Sequence, residues 1–274
     1  MRIALCQVNA GDDPEANRKV AGELLDAAAE GGAELAGLPE LFTYLGPTSR
    51  HADVAEPIPG PTSEWLREIA ARHGMWILGG SFLEADGGGV FNTSLLLDHR
   101  GEIVASYRKI HRFDVDLPGQ PPIRESATVA AGDRIVTVDT EFGVIGLSIC
   151  YDLRFPELYR ALAGRGAVLL FVPAAFTLET GRDHWEVLLR ARAIENQAFV
   201  VAPAQWGAWG RPEDNRRCYG RSLVADPWGT VIATAPDGVG VTFADLDLAA
   251  IERVRGRLPA LSHRRPDVAH PRDA

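Results

Sequence analysis

Three side chains with distinct chemical uses stand at the ends of apolar segments. Glu40 ends the run LAGLPE, Lys109 ends IVASYRK and Cys150 ends GLSIC. Open α/β sheets bind ligands at the carboxyl ends of their strands, so a carboxylate, an ammonium and a thiol could converge on one edge. Each residue also has an ordinary explanation, as a surface glutamate, a surface lysine and a cysteine that packs in the core.

The chemistry that such a set suggests is nucleophilic catalysis by the thiol. A cysteine nucleophile needs a base, an acid for the leaving group and a positive charge where an oxyanion forms. A Cys-His pair with His111 or His184 is conceivable, but nothing in the sequence brings either histidine to Cys150. Most such histidines are structural or face solvent.

The segment around Cys150 predicts a strand, a tight polar turn and a helix. Val144, Ile145, Leu147 and Ile149 form a short apolar segment together with two glycines, which is typical of a fully buried strand. Phe155 precedes a proline and is therefore pushed toward extended geometry, whereas Pro156 suits the first position of a helix. Cys150 would then lie at the carboxyl end of the strand.

Composition indicates one α/β domain over residues 1–274. The chain has 46% hydrophobic and 24% charged residues, as ordinary globular proteins do. Its net charge of -9 argues against binding to nucleic acid or to anionic membranes, both of which need Lys and Arg.

The cysteines and the apolar runs suggest a cytoplasmic location. Cys6, Cys150 and Cys218 are odd in number and widely spaced, which fits neither a disulfide framework nor a CxxC motif. The first apolar run is too short for a signal peptide, and no run reaches the roughly 18 residues of a membrane helix. We therefore expect reduced thiols.

Strands and helices are predicted to alternate along the chain. Asp13 and Pro14 should begin a helix that buries Val20, Leu24, Ala27 and Ala28, and Thr62 should cap a second helix that ends near Gly74. A further helix is predicted over 183–196. Strands are predicted over 2–8, 75–82, 90–97, 103–107, 167–172, 199–203, 220–225, 230–234 and 239–244.

Several loops are candidates for the walls of a site. The long segment from Lys109 to Glu125 contains prolines, and long loops in compact domains are usually functional or disordered. Loops 173–182 and 207–217 could also contribute. The second of these, with Trp206, Trp209, Arg211, Arg216 and Arg217, suggests an apolar wall with anion contacts, although an exposed loop explains it equally well.

The ordered motifs resemble those of the nitrilase superfamily of carbon-nitrogen hydrolases. They are RIALCQV at the start, LPELF around Glu40, YRKIHRFDVDLPG around Lys109, LSICYDLRFPELYR around Cys150, and HWEVLLRARAIENQAFVVAPAQ. The resemblance covers nearly the whole chain. It implies a four-layer αββα sandwich that assembles as a homodimer or larger homo-oligomer through helices on its outer faces.

The resemblance also implies roles for individual residues. Cys150 would be the nucleophile, Glu40 the general base and acid, and Lys109 the cation beside the oxyanion, which the backbone N–H of Tyr151 would also stabilise. Lys109 is expected to favour the thiolate of Cys150. Glu125, which matches the family's additional glutamate, would orient Lys109, substrate or water. No metal or organic cofactor is expected.

Further motifs resemble the Nit amidase branch of this family. Tyr-Asp follows Cys150, where true nitrilases usually have Trp-Glu, and YGRSLVADPWGTV and LPALSHRRPDV match that branch. Its members hydrolyse deaminated glutathione or small ω-amides of keto acids. The resemblance therefore implies an amidase that acts on a small carboxylate-bearing amide and releases ammonia.

Two other functions remain open from the sequence. An N-carbamoyl amino acid amidohydrolase would release carbon dioxide as well as ammonia. A non-catalytic dimeric scaffold could bind a partner protein through 185–196 and the basic, proline-rich tail 255–274, which could pack on a second subunit or remain solvated. The presence of Glu40, Lys109 and Cys150 argues against a scaffold.

Overall fold

Two β-sheets form the centre of the computed structural model, which describes residues 1–116, 121–210 and 215–265. The first sheet has the strand order β17-β1-β2-β3-β5-β4, with β6 paired to β5, and the second has the order β16-β15-β12-β11-β10-β9. The strands are β1 (Arg2–Gln7), β2 (Leu35–Gly37), β3 (Trp76–Leu78), β4 (Phe82–Asp86), β5 (Gly89–Leu97), β6 (Ile103–Arg108), β7 (Asp114–Val115), β8 (Ile123–Arg124), β9 (Thr137–Thr140), β10 (Gly143–Leu147), β11 (Leu169–Phe171), β12 (Phe199–Ala202), β13 (Trp206–Ala208), β14 (Arg217–Tyr219), β15 (Leu223–Ala225), β16 (Val231–Thr234) and β17 (Gly240–Asp245).

Alternation along β1 explains why both faces of the first sheet are buried. Ile3 and Leu5 belong to a core shared with the second sheet, whereas Ala4 and Cys6 face a separate core beneath helices. Successive side chains of a strand point to opposite faces, so a strand covered on both sides is apolar throughout.

Helices cover the outer face of each sheet. The helices are α1 (Pro14–Glu30), α2 (His51–Val54), α3 (Pro61–His73), α4 (Pro156–Gly164), α5 (Leu178–Thr180), α6 (Glu186–Asn196) and α7 (Ala249–Arg257). α1 and α3 pack on the first sheet, and α4 and α6 pack on the second. This arrangement is the predicted αββα sandwich.

The helix predictions hold for position but not for every detail. Asp13 caps α1 as predicted, through bonds from the N–H groups of residues 15 and 16. The buried stripe of α1 is Ala21, Leu25 and Ala28, so of the four predicted residues only Ala28 is fully buried; Leu24 is half-buried, and Val20 and Ala27 are exposed. Thr62 is not the cap of α3, because the helix already begins at Pro61 after Gly60.

The strand predictions were too long in one place and incomplete in others. The segment 75–82 divides into β3 and the start of β4, because the chain turns at Gly79 and Gly80. Gly80 has φ +51°, and a Cβ there would lie 2.1 Å from the backbone oxygen of Pro39, so only glycine fits. The prediction also missed two short strands, β7 and β8, in the segment predicted to be a long loop after Lys109, as well as β9, β13 and β14 and the helices α2, α5 and α7.

The tail predicted over 255–274 begins inside α7, which continues to Arg257. Residues 266–274 lie outside the described part of the chain, so the prediction for them stays open. Among the residues that the structure describes, no helix combines the length and the apolar character needed to cross a membrane.

Candidate active site

The strand directions bring Glu40, Lys109 and Cys150 to one place. β6 is antiparallel to β5, which is antiparallel to β3, and β3 is parallel to β2, so β2 and β6 end at the same edge of the first sheet. Glu40 follows β2 by three residues, and Lys109 directly follows β6. Cys150 follows β10 of the facing sheet by three residues. The predicted convergence of the three strand ends is thus observed.

A buried ionic cluster joins Lys109 to two carboxylates. Lys109 Nζ lies 2.8 Å from Glu40 Oε1 and 2.8 Å from Glu125 Oε2. The side chain of Lys109 is 2% exposed, that of Glu40 4% and that of Glu125 11%. Burial alone would lower the pKa of Lys109, but the two carboxylates outweigh it and raise the pKa well above its ordinary value. Lys109 is therefore a fixed cation.

Backbone and amide donors hold the two carboxylates in place. Asn92 Nδ2 donates to Glu40 Oε1 at 2.9 Å and to Glu125 Oε1 at 3.2 Å. The backbone N–H of Ala175 donates to Glu40 Oε2 at 2.9 Å, and that of Phe113 donates to Glu125 Oε2 at 2.6 Å. Charge-assisted bonds of this kind fix the direction of a carboxylate as well as its charge.

Cys150 begins a 3-10 turn, Cys150–Arg154, in a strained backbone conformation. Its φ is +46°, a value in the left-handed region that non-glycine residues rarely adopt. The backbone N–H of Cys150 donates to the carbonyl of Pro173 at 2.9 Å, which ties the turn to the end of β11. The turn and helix α4 beginning at Pro156 confirm the predicted strand, turn and helix.

Lys109 lowers the pKa of the Cys150 thiol, as expected of a cation that favours the thiolate, but its effect is not the largest one at this site. Burial raises the pKa of the thiol well above its ordinary value, and the charge of Glu40 raises it further, whereas Lys109 lowers it by less. The resting group is therefore a protonated thiol beside the Glu40 carboxylate. The Glu40 carboxylate, which is hydrogen-bonded to the thiol, is the group that we expect to remove this proton.

Asp152 fixes the turn that carries Cys150. Its side chain is fully buried and accepts from Tyr107 Oη at 2.6 Å and from the backbone N–H of Ile149 at 2.9 Å. His111 contacts the same carboxylate through Nδ1 at 2.7 Å and stacks on Phe155. His111 is thus a structural partner of Asp152, in keeping with the weak sequence signal for a Cys-His pair.

The cluster opens on a cavity of about 230 Å³. Its lining includes Glu40, Lys109, Glu125 and Cys150, and the remaining lining residues are Leu41, Tyr44, Leu45, Gly46, Thr48, His51, Leu83, Phe113, Pro122, Ile123, Arg124, Ala127, Val129, Ala175, Thr177, Trp209 and Arg216. Most of this wall is apolar, as is typical of small-molecule sites.

The remaining predicted residues have different positions relative to the cavity. Tyr151 is not on its wall; the ring packs edge-on against Phe113 at 5.0 Å, so the role expected for its backbone N–H stays a prediction. Trp209 and Arg216 line the cavity, but Trp206 and Arg217 do not. Arg211 lies outside the described residues.

Sequence reasoning missed the residues that hold Glu40. Asn92 is 1% exposed in the middle of β5, and Gln205 Nε2 donates to the backbone oxygen of Glu40 at 3.0 Å. The available signal was a run of three polar residues, 92–94, inside a strand that ends in three leucines, since buried amides need partners. Local sequence gives no means of finding the Ala175 backbone donor.

Comparison with known proteins agrees with this geometry. The model of the family described as carbon-nitrogen hydrolase matches residues 2–256. A deaminated glutathione amidase from Bos taurus is 43% identical, over 97% of this chain and 82% of that protein. An omega-amidase from Mus musculus is 38% identical, over 97% of this chain and 96% of that protein.

One similar solved structure has a reacted cysteine in its own active site. The amidase from Nesterenkonia sp. AN1 is 28% identical, has a TM-score of 0.78 and is matched over 94% of this chain and 98% of that chain. It was solved as a glutamate-to-glutamine mutant with acrylamide added at its active site cysteine. The family match, the αββα fold and the buried cluster beside a cysteine lead to one conclusion: this chain belongs to the carbon-nitrogen hydrolase family, in its Nit amidase branch.

Proposed function

We propose that this chain hydrolyses a small carboxylate-bearing amide to the acid and ammonia through a thioester on Cys150. One observation carries the proposal: the Glu40–Lys109–Glu125 cluster and Cys150 line the same cavity. A base, a fixed cation and a nucleophile beside a mostly apolar cavity are the parts that acyl transfer to a thiol requires.

Acylation begins with proton transfer from Cys150 to Glu40. The protonated thiol is a weak nucleophile, so Sγ gains its reactivity as Glu40 takes the proton during attack on the amide carbon. The Ala175 N–H and the Asn92 amide keep the carboxylate oriented for this transfer.

Negative charge then develops on the former carbonyl oxygen. Lys109 Nζ donates to Glu40 Oε1 and to both carboxylate oxygens of Glu125, at 3.1 Å to Oε1 and 2.8 Å to Oε2. An ammonium group has three N–H donors, and we assign the donor of the longer bond to the oxyanion. The backbone N–H of Tyr151, directly after the nucleophile, is the second donor we assign to this oxygen. Glu125 acts through Lys109 by holding the ammonium in position.

Collapse of this intermediate breaks the C–N bond. Glu40 returns its proton to the leaving nitrogen, ammonia departs and the acyl group remains on Cys150 Sγ as a thioester. Water then attacks the thioester with Glu40 again as base, the acid is released, and the proton returns to the thiol. Atoms balance as amide plus water giving acid plus ammonia.

The substrate class comes from the relatives and from the cavity. The relatives named deaminated glutathione amidase and omega-amidase are 43% and 38% identical to this chain. We propose the same substrate class for this chain, an amide that also carries a carboxylate at a distance from the amide group. A cavity of about 230 Å³ suits a small acyl group.

An ammonia-release screen tests this function. Purified protein is assayed on succinamate, glutaramate, an N-carbamoyl amino acid and a nitrile, with carbon dioxide measured in parallel and Cys150→Ala as control. We expect ammonia from the amides without carbon dioxide, and an acyl adduct on Cys150 by intact mass after rapid acid quench. Ammonia together with carbon dioxide would identify the carbamoyl hydrolase instead, and activity retained by Cys150→Ala would refute the mechanism.

We also propose that the chain forms a homodimer through the outer face of α6. Val187 and Ile194 on this helix are 66% and 50% exposed, and Trp228, on the adjacent turn, is 59% exposed. An apolar patch of this kind is typical of an interface. Sedimentation analysis of Val187→Glu, with Val20→Glu on α1 as the matched control, should show monomers only for the former.

Finally, we infer that the chain works in a reducing compartment, which we take to be the cytoplasm. Cys6, Cys150 and Cys218 are all free and buried. Proteins of oxidising compartments usually pair their cysteines. Fractionation of the source cells with antibody detection tests this location.

A further inference from the structure

Arg216 differs from the other cations that line the cavity. Lys109 is bound by Glu40 and Glu125, and Arg124 Nη2 lies 2.6 Å from Asp116 Oδ1. Among the described residues, no carboxylate lies within ion-pairing distance of Arg216, whose Nε is buried without a hydrogen-bond partner. A buried donor left unpaired costs free energy unless a ligand satisfies it.

Contacts with Trp209 hold the guanidinium of Arg216 against the wall of the cavity. Arg216 is half-buried, and its Cζ lies 5.0 Å from the centre of the Trp209 ring. The backbone N–H of Trp209 donates to the carbonyl of Arg216 at 3.1 Å, just beyond the hairpin of β13 and β14. Arg216 also lines a second, adjoining cavity with Trp209, Gly46 and Thr48.

We propose that Arg216, on the wall of the cavity that Cys150 also lines, binds the remote carboxylate of the substrate. Arginine matches a carboxylate with two parallel N–H bonds, which fixes orientation as well as charge. The ligand class is therefore a monoamide of a dicarboxylic acid, with its amide at Cys150 and its carboxylate at Arg216. This assignment rests on the proposed amidase function and adds the residue that selects the substrate.

His51 is the alternative receptor on the same wall. Its Nδ1 is already bonded to Thr128 Oγ1 at 2.9 Å, and burial lowers its pKa below the ordinary value of 6.5. A neutral imidazole with one nitrogen occupied attracts a carboxylate far less than a guanidinium does. Arg216 is therefore the stronger candidate.

Paired substrates test the role of Arg216. Succinamate and glutaramate each have an uncharged counterpart, butyramide and pentanamide, in which a methyl group replaces the carboxylate. We expect Arg216→Gln to lower kcat/KM for the two acids by about 10- to 100-fold, mainly through KM, because a bond to a charged group is lost. Hydrolysis of the neutral amides should not change, which also shows that the variant is folded.

Arg217→Gln is the matched control, because Arg217 is the exposed neighbour that does not line the cavity. It should leave both substrate series unchanged. Arg216→Glu should reverse the preference, so that 4-aminobutyramide becomes a better substrate than succinamate. Equal losses on charged and neutral amides, or no loss on either, would overturn the assignment.

A binding measurement separates this assignment from the proposed chemistry. Calorimetry with Cys150→Ala protein measures glutaramate affinity without turnover, and the Cys150→Ala/Arg216→Gln double variant should bind about 10- to 100-fold more weakly. Affinity that does not depend on Arg216 refutes the carboxylate site. Affinity that depends on Arg216 in a protein whose wild type releases no ammonia would keep the site and refute the amidase function.

Discussion

The protonation state of Cys150 before the reaction determines which residue must act as the base. A buried thiol beside a carboxylate keeps its proton, so reactivity depends on transfer to Glu40 rather than on a standing thiolate. The backbone φ of +46° at Cys150 is unfavourable for a residue other than glycine, so the surrounding fold must hold the residue in this conformation.

Glu40→Gln should have opposite effects on hydrolysis and on thiol acidity. Loss of the general base should lower kcat for amide hydrolysis by roughly 10²- to 10⁴-fold. Loss of the Glu40 charge should lower the pKa of Cys150, because this charge is one of the causes that raise it. Iodoacetamide labelling at a fixed mildly alkaline pH should then be faster than in wild type.

Two readouts and one control decide this prediction. Ammonia release reports hydrolysis, and intact mass against time reports labelling of Cys150. Glu68→Gln, at an exposed position on α3, should change neither rate. Slower labelling of Glu40→Gln would contradict the proposed effect of the carboxylate on the thiol.

Asn92→Asp tests whether the amide holds the two carboxylates apart. The substitution preserves size but replaces the Nδ2 donor with a third negative charge between Glu40 and Glu125. We expect a loss of about 1.5–3 kcal/mol in the free energy of unfolding, as for hydrogen bonds to charged groups, together with reduced kcat. Urea unfolding and ammonia release measure the two effects, and wild-type values for both would refute the role of Asn92.

At the scale of elements, the sequence predicted those helices and turns that are stabilised by interactions between neighbouring residues. The Asp13 cap of α1 and the turn between Cys150 and Pro156 depend on neighbouring residues, and both were predictable. Strand β9 was missed because it is stabilised by pairing with β10 rather than by its own sequence, TVDT.

The candidate site shows the same division. Glu40, Lys109 and Cys150 stood out at segment ends, and the family resemblance added Glu125. Asn92 could not be assigned without the structure, because its function depends on which strand lies beside β6. Arg216 stood among several arginines that the sequence could not rank.

Strand β1 gives a test of how burial affects stability. Burial raises the pKa of Cys6 from 9.0 to about 12. Above pH 9 the unfolded thiol loses its proton while the native thiol keeps it, so the native state binds more protons and stability falls as pH rises. The contribution of Cys6 should decline by about 1.4 kcal/mol per pH unit between these two values.

Comparison with Cys6→Ala isolates this contribution. Other groups titrate in the same range, but their effects appear in both proteins and cancel in the difference. Denaturant unfolding at neutral pH and at several values above pH 9 should show the stability advantage of wild type shrinking with pH. A constant difference would contradict the assignment.

At the scale of the whole molecule, one core connects the two sheets. It contains Ile3 and Leu35 from the first sheet, Ile145 and Leu170 from the second, and Leu189 from α6. Neither sheet can therefore separate without exposing apolar area that both share. Composition predicted a single domain. The shared core is consistent with this prediction, which unfolding experiments can test.

Cooperative unfolding provides the missing test. We expect far-UV circular dichroism and tryptophan fluorescence to follow one coincident urea transition, since a shared core melts as a unit. Ile145→Ala, which removes side-chain volume from this core, should shift the midpoint by the equivalent of about 2–5 kcal/mol without splitting the transition. Two resolved transitions would show that the halves are separate folding units.

The ionic cluster also bears on how the reaction ends. One ammonium, on Lys109, faces the two carboxylates of Glu40 and Glu125, so the cluster carries one net negative charge. Hydrolysis converts the uncharged amide group of the substrate, beside this cluster, into a second carboxylate, and like charges at short distance repel strongly in a poorly solvated cavity. The cluster therefore disfavours binding of the new carboxylate, and we expect inhibition by the acid product to be weak.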